Sequence, residues 1–246
     1  VYLAEHRFMK KHYILKILPQ ELSQNRNFIQ SFEENIAALA ALKHKNIVGV
    51  HNISYANGVY FLVTDCIVDD LGESTNLARY LASLEKPITE SQLHSIVKQI
   101  ASALSYIHQQ KVLGSYLVHN HLKLNNILIG KSNPELEVVV SDCGLAKIIG
   151  MQQVLSKTCQ VLADSFGMGK LDQYSMVVPA INEESSALNQ AKRLMQYQVS
   201  FIQNYAFLAP EQKKTIMKEV GPASDVYAFG VLVYYLITKK FPEGVF

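Results

Sequence analysis

Two short apolar runs, each joined to polar side chains, constrain the fold of this chain more than any other feature. The first run, Ile127–Ile129, closes the segment Val118–Asn126, which is rich in His, Lys and Asn. The second run, Val138–Val140, is followed directly by Ser141 and Asp142. Two β-branched strands this close in sequence predict a hairpin, and the polar groups at its mouth predict a ligand site there.

These segments resemble the catalytic centre of eukaryotic-type serine/threonine protein kinases. Their motif sequences look more similar to those of bacterial members of that family. Val118–Ile129 is similar to the catalytic loop His-Arg-Asp-Leu-Lys-x-x-Asn, and Asp142–Gly144 resembles Asp-Phe-Gly. The alignment places His121 where the family has its catalytic Asp, and Asn120 where it has Arg. It also places Lys123 at the position of the lysine that lies near the transferred phosphate in that family.

Other segments follow the kinase order along the chain. Tyr13–Lys16 resembles the strand whose lysine holds the α- and β-phosphates, and Leu208–Glu211 resembles Ala-Pro-Glu. Asp225–Gly230 resembles Asp-Val-Trp-Ser-Phe-Gly, in which the Asp hydrogen-bonds the catalytic-loop backbone. A simple helix N-cap is the alternative for Asp225. Asn35 takes the place of the glutamate that pairs with the lysine, so we expect Lys16 to be left unanchored.

The resemblance implies a site for ATP and Mg²⁺. Asn126 and Asp142 take the metal-ligand positions, and hard oxygen donors of this kind suit Mg²⁺. Adenine would bind between the gatekeeper and the hinge backbone, at Thr64, Asp65, Cys66 and Ile67.

The implied fold class is α+β, a two-lobed protein kinase-like fold. We expect a small β-rich lobe over residues 1–64, a hinge at 65–70 and a mainly helical lobe over 71–246. Residues 150–205 would be an insertion in the activation segment, either partly ordered or a partner-binding element. We expect the fold to be incomplete at both ends, since a kinase domain has a glycine-rich loop before Val1 and further helices after Phe246.

Local patterns predict individual elements within this frame. Turn chemistry at Asn57-Gly58 and alternating apolar residues predict strands, and apolar stripes at helical spacing predict helices. The predicted strands are Val1–Glu5, Lys11–Leu18 and Tyr60–Val68, and the predicted helices are Asn27–Leu42, Leu77–Leu84 and Thr89–Gln110.

Composition narrows the possible functions. A formal net charge of +2 is too small to indicate nucleic acid or a membrane surface as a partner. No apolar run reaches the length of a transmembrane helix. The three cysteines have no metal or redox spacing, which indicates a reducing, cytoplasmic compartment. Export from the cell to act on another cell stays open.

The catalytic positions favour a pseudokinase, which binds ATP and acts as a regulatory or interaction module with protein partners. Transfer to a hydroxyl needs a positioned proton acceptor, and losing such a base costs roughly 10²–10⁴ in rate. His121 and Asn35 both depart from the family at positions that matter for this step. Two alternatives stay open: a weakly active serine/threonine kinase that uses His121 or no base, and a structural domain that binds no nucleotide.

Overall fold

A computed structural model describes residues 1–18, 26–112, 114–132, 135–146, 204–213 and 220–243. The side chains of Glu34 and Asn35 also lie outside the described part, so the predicted loss of the helix glutamate has no structural test. Of the insertion predicted at 150–205, residues 150–203 lie outside the described residues as well.

A four-stranded antiparallel sheet forms the first part of the chain, with the strand order β1-β2-β4-β3. Its strands are β1 (Tyr2–Glu5), β2 (His12–Ile17), β3 (Val50–Ala56) and β4 (Val59–Asp65). The strands predicted over Val1–Glu5 and Lys11–Leu18 are confirmed as β1 and β2. They pair with each other, Tyr2–Glu5 against His12–Leu15.

The turn between β3 and β4 explains their register. Asn57 and Gly58 both have left-handed backbones, with φ of 52° and 83°, as a tight hairpin turn requires. The strand predicted over Tyr60–Val68 begins one residue earlier and ends at Asp65. Its pairing with the neighbouring strands β2 and β3 ends at that point.

Three helices follow the predicted pattern. They are α1 (Arg26–Ala40), α2 (Leu77–Ser83) and α3 (Glu90–Gln109). Thr89 caps α3, and with Gln92 it forms a complete capping box, which satisfies backbone donors at the helix start. The apolar face of α3, including Ile96, Ile100 and Ile107, is fully buried in the core.

A second sheet carries the predicted hairpin. Its strands are β5 (Thr75–Asn76), β8 (Ile127–Ser132) and β9 (Leu136–Val140), in the order β5-β8-β9. Between α3 and β8 the chain forms a small hairpin of β6 (Lys111–Val112) and β7 (Ser115–Tyr116), which the sequence did not indicate beyond a longer loop.

Hydrogen bonds from α3 and from the segment after α1 fix the end of β9. Gln99 Nε2 donates to Leu136 O (2.8 Å), and Gln99 Oε1 accepts from Val138 N (3.0 Å) and from Asn46 Nδ2 (2.8 Å). Val140 N donates to Asn46 O at 2.8 Å. These contacts set the position from which the chain continues to Asp142.

The described chain ends with α4 (Pro210–Lys213) and α5 (Pro222–Thr238). Helix α5 begins after Gly221 with Pro222 in its first turn, a position where proline needs no hydrogen-bond partner. Asp225 therefore lies inside the helix, and the N-cap alternative for Asp225 is wrong. The mixed α+β architecture is that of a protein kinase-like fold, as the sequence predicted.

Candidate active site

An ion pair joins the first sheet to the end of the second. Lys16 lies on β2, opposite Leu62 of β4, and its Nζ donates to Asp142 Oδ1. Both side chains are mostly shielded from solvent, with 19% and 29% of their areas exposed. The expectation that Lys16 would be unanchored is wrong, because Asp142 holds its ammonium group.

Asp142 adopts a backbone conformation that few non-glycine residues use. Its φ is 63°, in the left-handed region that costs a non-glycine residue of order 1 kcal/mol or more. Gly144, two residues on, has φ of 71°, and a Cβ there would lie 2.8 Å from Leu117 Cδ1 and 3.0 Å from Leu39 Cδ2. The turn at 142–144 is therefore a tightly built one that directs the Asp142 carboxylate toward Lys16.

The loop between α3 and β8 is anchored on Asp225. This carboxylate is 1% exposed and accepts backbone hydrogen bonds from His119 N at Oδ2 (2.7 Å) and from Asn120 N at Oδ1 (2.8 Å). His108 Nε2 lies 2.8 Å from Oδ2. The role implied by the kinase resemblance, a hydrogen bond from α5 to the catalytic-loop backbone, is thus present in the geometry.

Asn126 ties the same loop to the hairpin mouth. Its Nδ2 donates to His121 O (2.8 Å), and its backbone O accepts from Ser141 N (2.8 Å) and Ser141 Oγ (3.2 Å). Donation through Nδ2 leaves the amide oxygen as the atom that is able to bind a cation. Asn126, His121 and Asp142 are thereby drawn to one end of the β8–β9 hairpin.

His121 is a half-buried residue at the centre of this group. Its N–H donates to His119 Nδ1 at 3.3 Å. Burial lowers the pKa of His121 to about 3, with the positive charge of Lys123 and the neighbouring His119 acting in the same direction, and Asp142 opposing them. Burial likewise lowers the pKa of His119. Both imidazoles are therefore neutral at pH 7.

Lys123 and Asn120 contact the segment around α4. Lys123 Nζ donates to Asn204 Oδ1, and Gln212 Nε2 donates to Asn120 O at 3.1 Å. Sequence reasoning missed Asn204, Gln212 and the contact of His108 with Asp225. The only available signal was the position of Asn204 a few residues before the Ala-Pro-Glu motif.

The predicted adenine-binding residues follow the end of β4. Thr64 is buried and pairs with Ile14, two residues from Lys16 on the neighbouring strand. Asp65 Oδ2 accepts from Gly49 N at 3.0 Å, which fixes the exit from the sheet. Cys66 and Ile67 are half-buried, and burial raises the pKa of the Cys66 thiol.

The donor set at the hairpin mouth fits Mg²⁺. Asp142 offers a carboxylate and Asn126 an amide oxygen, and Mg²⁺ in phosphate-binding sites takes one or two such ligands together with phosphates and waters. In the part of the chain that the structure describes, no group of three or more His, Cys, Asp or Glu side chains is placed to hold an ion. Phosphate oxygens of a nucleotide would complete the coordination of a metal held at this mouth.

Comparison with known sequences agrees with this geometry. Residues 1–163 match the family model described as protein kinase domain. The chain belongs to the protein kinase family.

Three bacterial proteins named serine/threonine-protein kinases are among the similar relatives. The chain is 32% identical over 244 residues to the serine/threonine-protein kinase pkn1 of Chlamydia caviae, and 30% identical over 244 residues to Pkn1 of Chlamydia trachomatis serovar L2. It is 24% identical over 242 residues to the serine/threonine-protein kinase PrkC of Bacillus subtilis. The alignments cover 98–99% of the chain but only 32%, 32% and 28% of these three relatives.

Proposed function

We propose that this chain is a pseudokinase domain, which binds ATP and Mg²⁺ and acts as a regulatory or interaction module for protein partners. The observation that carries the proposal is the contrast within one site. Lys16, Asn126 and Asp142 are present and drawn together, while the position of the proton acceptor holds His121. The residues proposed to bind the metal and the nucleotide are those of the family, and the residue at the position of the proton acceptor is not.

In this proposal the nucleotide binds between a β-rich lobe, residues 1–64, and a helical lobe, residues 71–246, with a hinge at 65–70. Adenine meets the backbone of Asp65, Cys66 and Ile67 beside the gatekeeper Thr64. Lys16 pairs with the phosphates, and Asn126 and Asp142 hold Mg²⁺, which supplies positive charge to the phosphate oxygens. The built ion pair and the strained turn at Asp142 support this assignment.

The altered base is the reason to expect poor transfer to protein hydroxyls. A carboxylate at position 121 would orient a hydroxyl and carry negative charge, whereas the imidazole of His121 is neutral at pH 7. Loss of a general base costs roughly 10²–10⁴ in rate. Lys123, whose Nζ donates to Asn204, carries a positive charge and does not accept a proton.

Thermal unfolding of the purified full-length protein, with and without ATP and Mg²⁺, tests nucleotide binding. A ligand that binds only the native state must raise stability, by about 2.7 kcal/mol at a hundred times its Kd. We expect a rise in Tm with ATP and Mg²⁺ that Asp142→Ala abolishes. Glu85→Ala is the control, since Glu85 is an exposed carboxylate between α2 and α3, outside the proposed nucleotide site. No shift at millimolar ATP in the parent protein would refute the nucleotide site.

The second candidate function is a weakly active serine/threonine kinase. Its support is the family of the relatives, which are named as serine/threonine-protein kinases, and the intact set of Lys16, Lys123, Asn126 and Asp142. Transfer of labelled phosphate to serine or threonine above the level of an Asp142→Ala control would favour it over the pseudokinase. Transfer equal to that control would leave the pseudokinase.

The proposal places this activity in the cytoplasm, where ATP is available. Cys66 and Cys143 are free thiols, which is consistent with a reducing compartment. No helix in the described part of the chain is long and apolar enough to cross a membrane. We expect protein partners, because a kinase fold that transfers phosphate poorly still has the surfaces with which it binds other proteins.

A further inference from the structure

The imidazole of His121 stands where the kinase family has its proton-accepting carboxylate, and the proposed pseudokinase gives it no role. Its backbone is fixed from two sides, by donation from its N–H to His119 Nδ1 and by acceptance at its carbonyl from Asn126 Nδ2. Within the described ranges, neither ring nitrogen of His121 has a hydrogen-bond partner. His121 is thus held through its backbone, and no described residue uses the lone pair of its ring.

Among the other described histidines, His12 and His94 are exposed and make no ring-nitrogen contact, and His6 Nδ1 accepts from backbone N–H groups of its own turn. Each of the remaining four uses a ring nitrogen in a hydrogen-bond contact with another residue. The contacts are His44 Nε2 with Ser102 Oγ (3.1 Å), His51 Nε2 with Asp65 Oδ1 (2.6 Å), His108 Nε2 with Asp225 Oδ2 (2.8 Å) and His119 Nδ1 with His121 N (3.3 Å).

The backbone of His121 lies at the same end of the hairpin as the groups proposed to hold the phosphates. Asn126, a proposed metal ligand, is hydrogen-bonded directly to the His121 carbonyl. Lys123 lies two residues on, and Asp142, paired with Lys16, completes the same end of the hairpin. A triphosphate held by these groups would bring its terminal phosphoryl group beside the imidazole.

We propose that His121 is itself a phosphoryl acceptor, and that the site forms phosphohistidine from ATP. This inference rests on the nucleotide binding proposed above. A ring nitrogen lone pair of His121 forms the N–P bond with the γ-phosphorus. The bond from that phosphorus to the β,γ-bridging oxygen breaks, and its electron pair leaves with ADP. The proton on the other ring nitrogen is released to solvent.

Attack by an imidazole nitrogen does not require removal of a hydroxyl proton, the step for which the family uses a carboxylate at position 121. A serine or threonine hydroxyl must lose its proton as it attacks, so it needs a positioned acceptor. The unprotonated nitrogen of an imidazole has a free lone pair and forms covalent intermediates in other enzymes without such help. The same substitution that weakens transfer to hydroxyls therefore supplies a nucleophile inside the site, and the phosphate would add charge beside Asp142 and Lys123.

Labelling of the full-length protein with ATP and Mg²⁺ tests the proposal. We expect label from γ-labelled ATP, none from α-labelled ATP, and a phosphoprotein that survives alkali and loses its phosphate in acid, as a phosphoimidazole does. His121→Asn should lose this label. His94→Asn is the matched control, because His94 is exposed on α3 and its replacement should leave the label unchanged.

Two further readouts keep the result interpretable. Mass spectrometry of the parent protein should place the phosphate on residue 121, which tests the site even if His121→Asn fails to fold. Phosphoramidate, which phosphorylates reactive imidazoles without ATP, should modify His121 ahead of His119, which is fully buried, and ATP with Mg²⁺ should protect it.

The outcomes separate the two proposals. Acid-labile label that persists in His121→Asn, or a phosphate located elsewhere, would overturn the assignment to His121. A rise in Tm with ATP and Mg²⁺ but no acid-labile label would overturn phosphohistidine formation and leave nucleotide binding intact. No rise in Tm and no label would overturn both, with nucleotide binding as the step that fails.

Discussion

Replacement of Asp225 offers the sharpest test of how the candidate active site is held in shape. The carboxylate is 1% exposed and accepts hydrogen bonds from the backbone N–H groups of His119 and Asn120, at 2.7 and 2.8 Å. Asp225→Ala would leave both donors buried without an acceptor. Each buried unsatisfied group costs about 1–3 kcal/mol, so the variant should lose about 2–6 kcal/mol of unfolding free energy.

Asp225→Asn gives the intermediate point of the series. One oxygen remains to accept a backbone N–H, while the amide nitrogen faces the other donor, so we expect a loss of about 1–3 kcal/mol. This variant matters for the measurement because a domain is stable by only about 5–15 kcal/mol, and Asp225→Ala could unfold at room temperature.

Urea denaturation, followed by circular dichroism, measures both losses. Asp69→Ala is the control, since Asp69 Oδ1 also accepts two backbone N–H groups, from Leu71 (2.9 Å) and Glu73 (3.0 Å), but in an exposed loop where water replaces them. We expect the control to lose about 1 kcal/mol. If Asp225→Ala lost no more than Asp69→Ala, Asp225 would not be the anchor of the loop.

Two other perturbations follow from the same geometry. Gly144→Ala should lose about 2–5 kcal/mol of unfolding free energy, because it combines a left-handed φ of 71° with a Cβ only 2.8 Å from Leu117 Cδ1. Gly58→Ala is the control: its φ is 83° and nothing lies within 4 Å, so it should lose only about 1–2 kcal/mol in the same urea assay. Equal losses in the two variants would contradict the close packing at Gly144. Burial lowers the pKa of His121 to about 3 and that of His119 as well, so below pH 6.5 the unfolded chain binds protons that the folded chain does not. Unfolding free energy should therefore fall between pH 7 and pH 5, by about 2 kcal/mol from His121, with His119 acting in the same direction. His121→Asn should remove the His121 contribution, and an unchanged slope in the variant would contradict the burial of that ring.

The hairpins and helices were predictable because their signals are local. The Asn57-Gly58 turn, the Thr89 capping box and the apolar runs of β8 and β9 all form the elements that their chemistry indicates. The end of β4 at Asp65 was not predictable, because it depends on where two neighbouring strands stop. The strands of the β6–β7 hairpin have only two residues each, too few to show the alternation of apolar and polar residues that indicates a strand.

The residues of the candidate site were predictable from motif order, but their contacts were not. Lys16 and Asp142 are far apart in sequence, and nothing local indicates that the carboxylate of one holds the ammonium of the other. The exception is Asp225, whose hydrogen bonds with the loop backbone the kinase resemblance implied. The local pattern alone indicated a helix start, but Asp225 lies inside α5 and binds a loop more than a hundred residues earlier. Long-range hydrogen bonds of this kind are set by packing, which a single sequence does not display.

Transfer of phosphate from ATP to protein hydroxyls tests the central claim most directly. The full-length protein and its Asp142→Ala variant are incubated with γ-labelled ATP and Mg²⁺, and acid-stable, alkali-labile phosphate on serine and threonine is measured over time. The account predicts that the two proteins are indistinguishable, because His121 stands in the place of the carboxylate base. Phosphate transfer to serine or threonine in the parent protein above the level of the variant would contradict it.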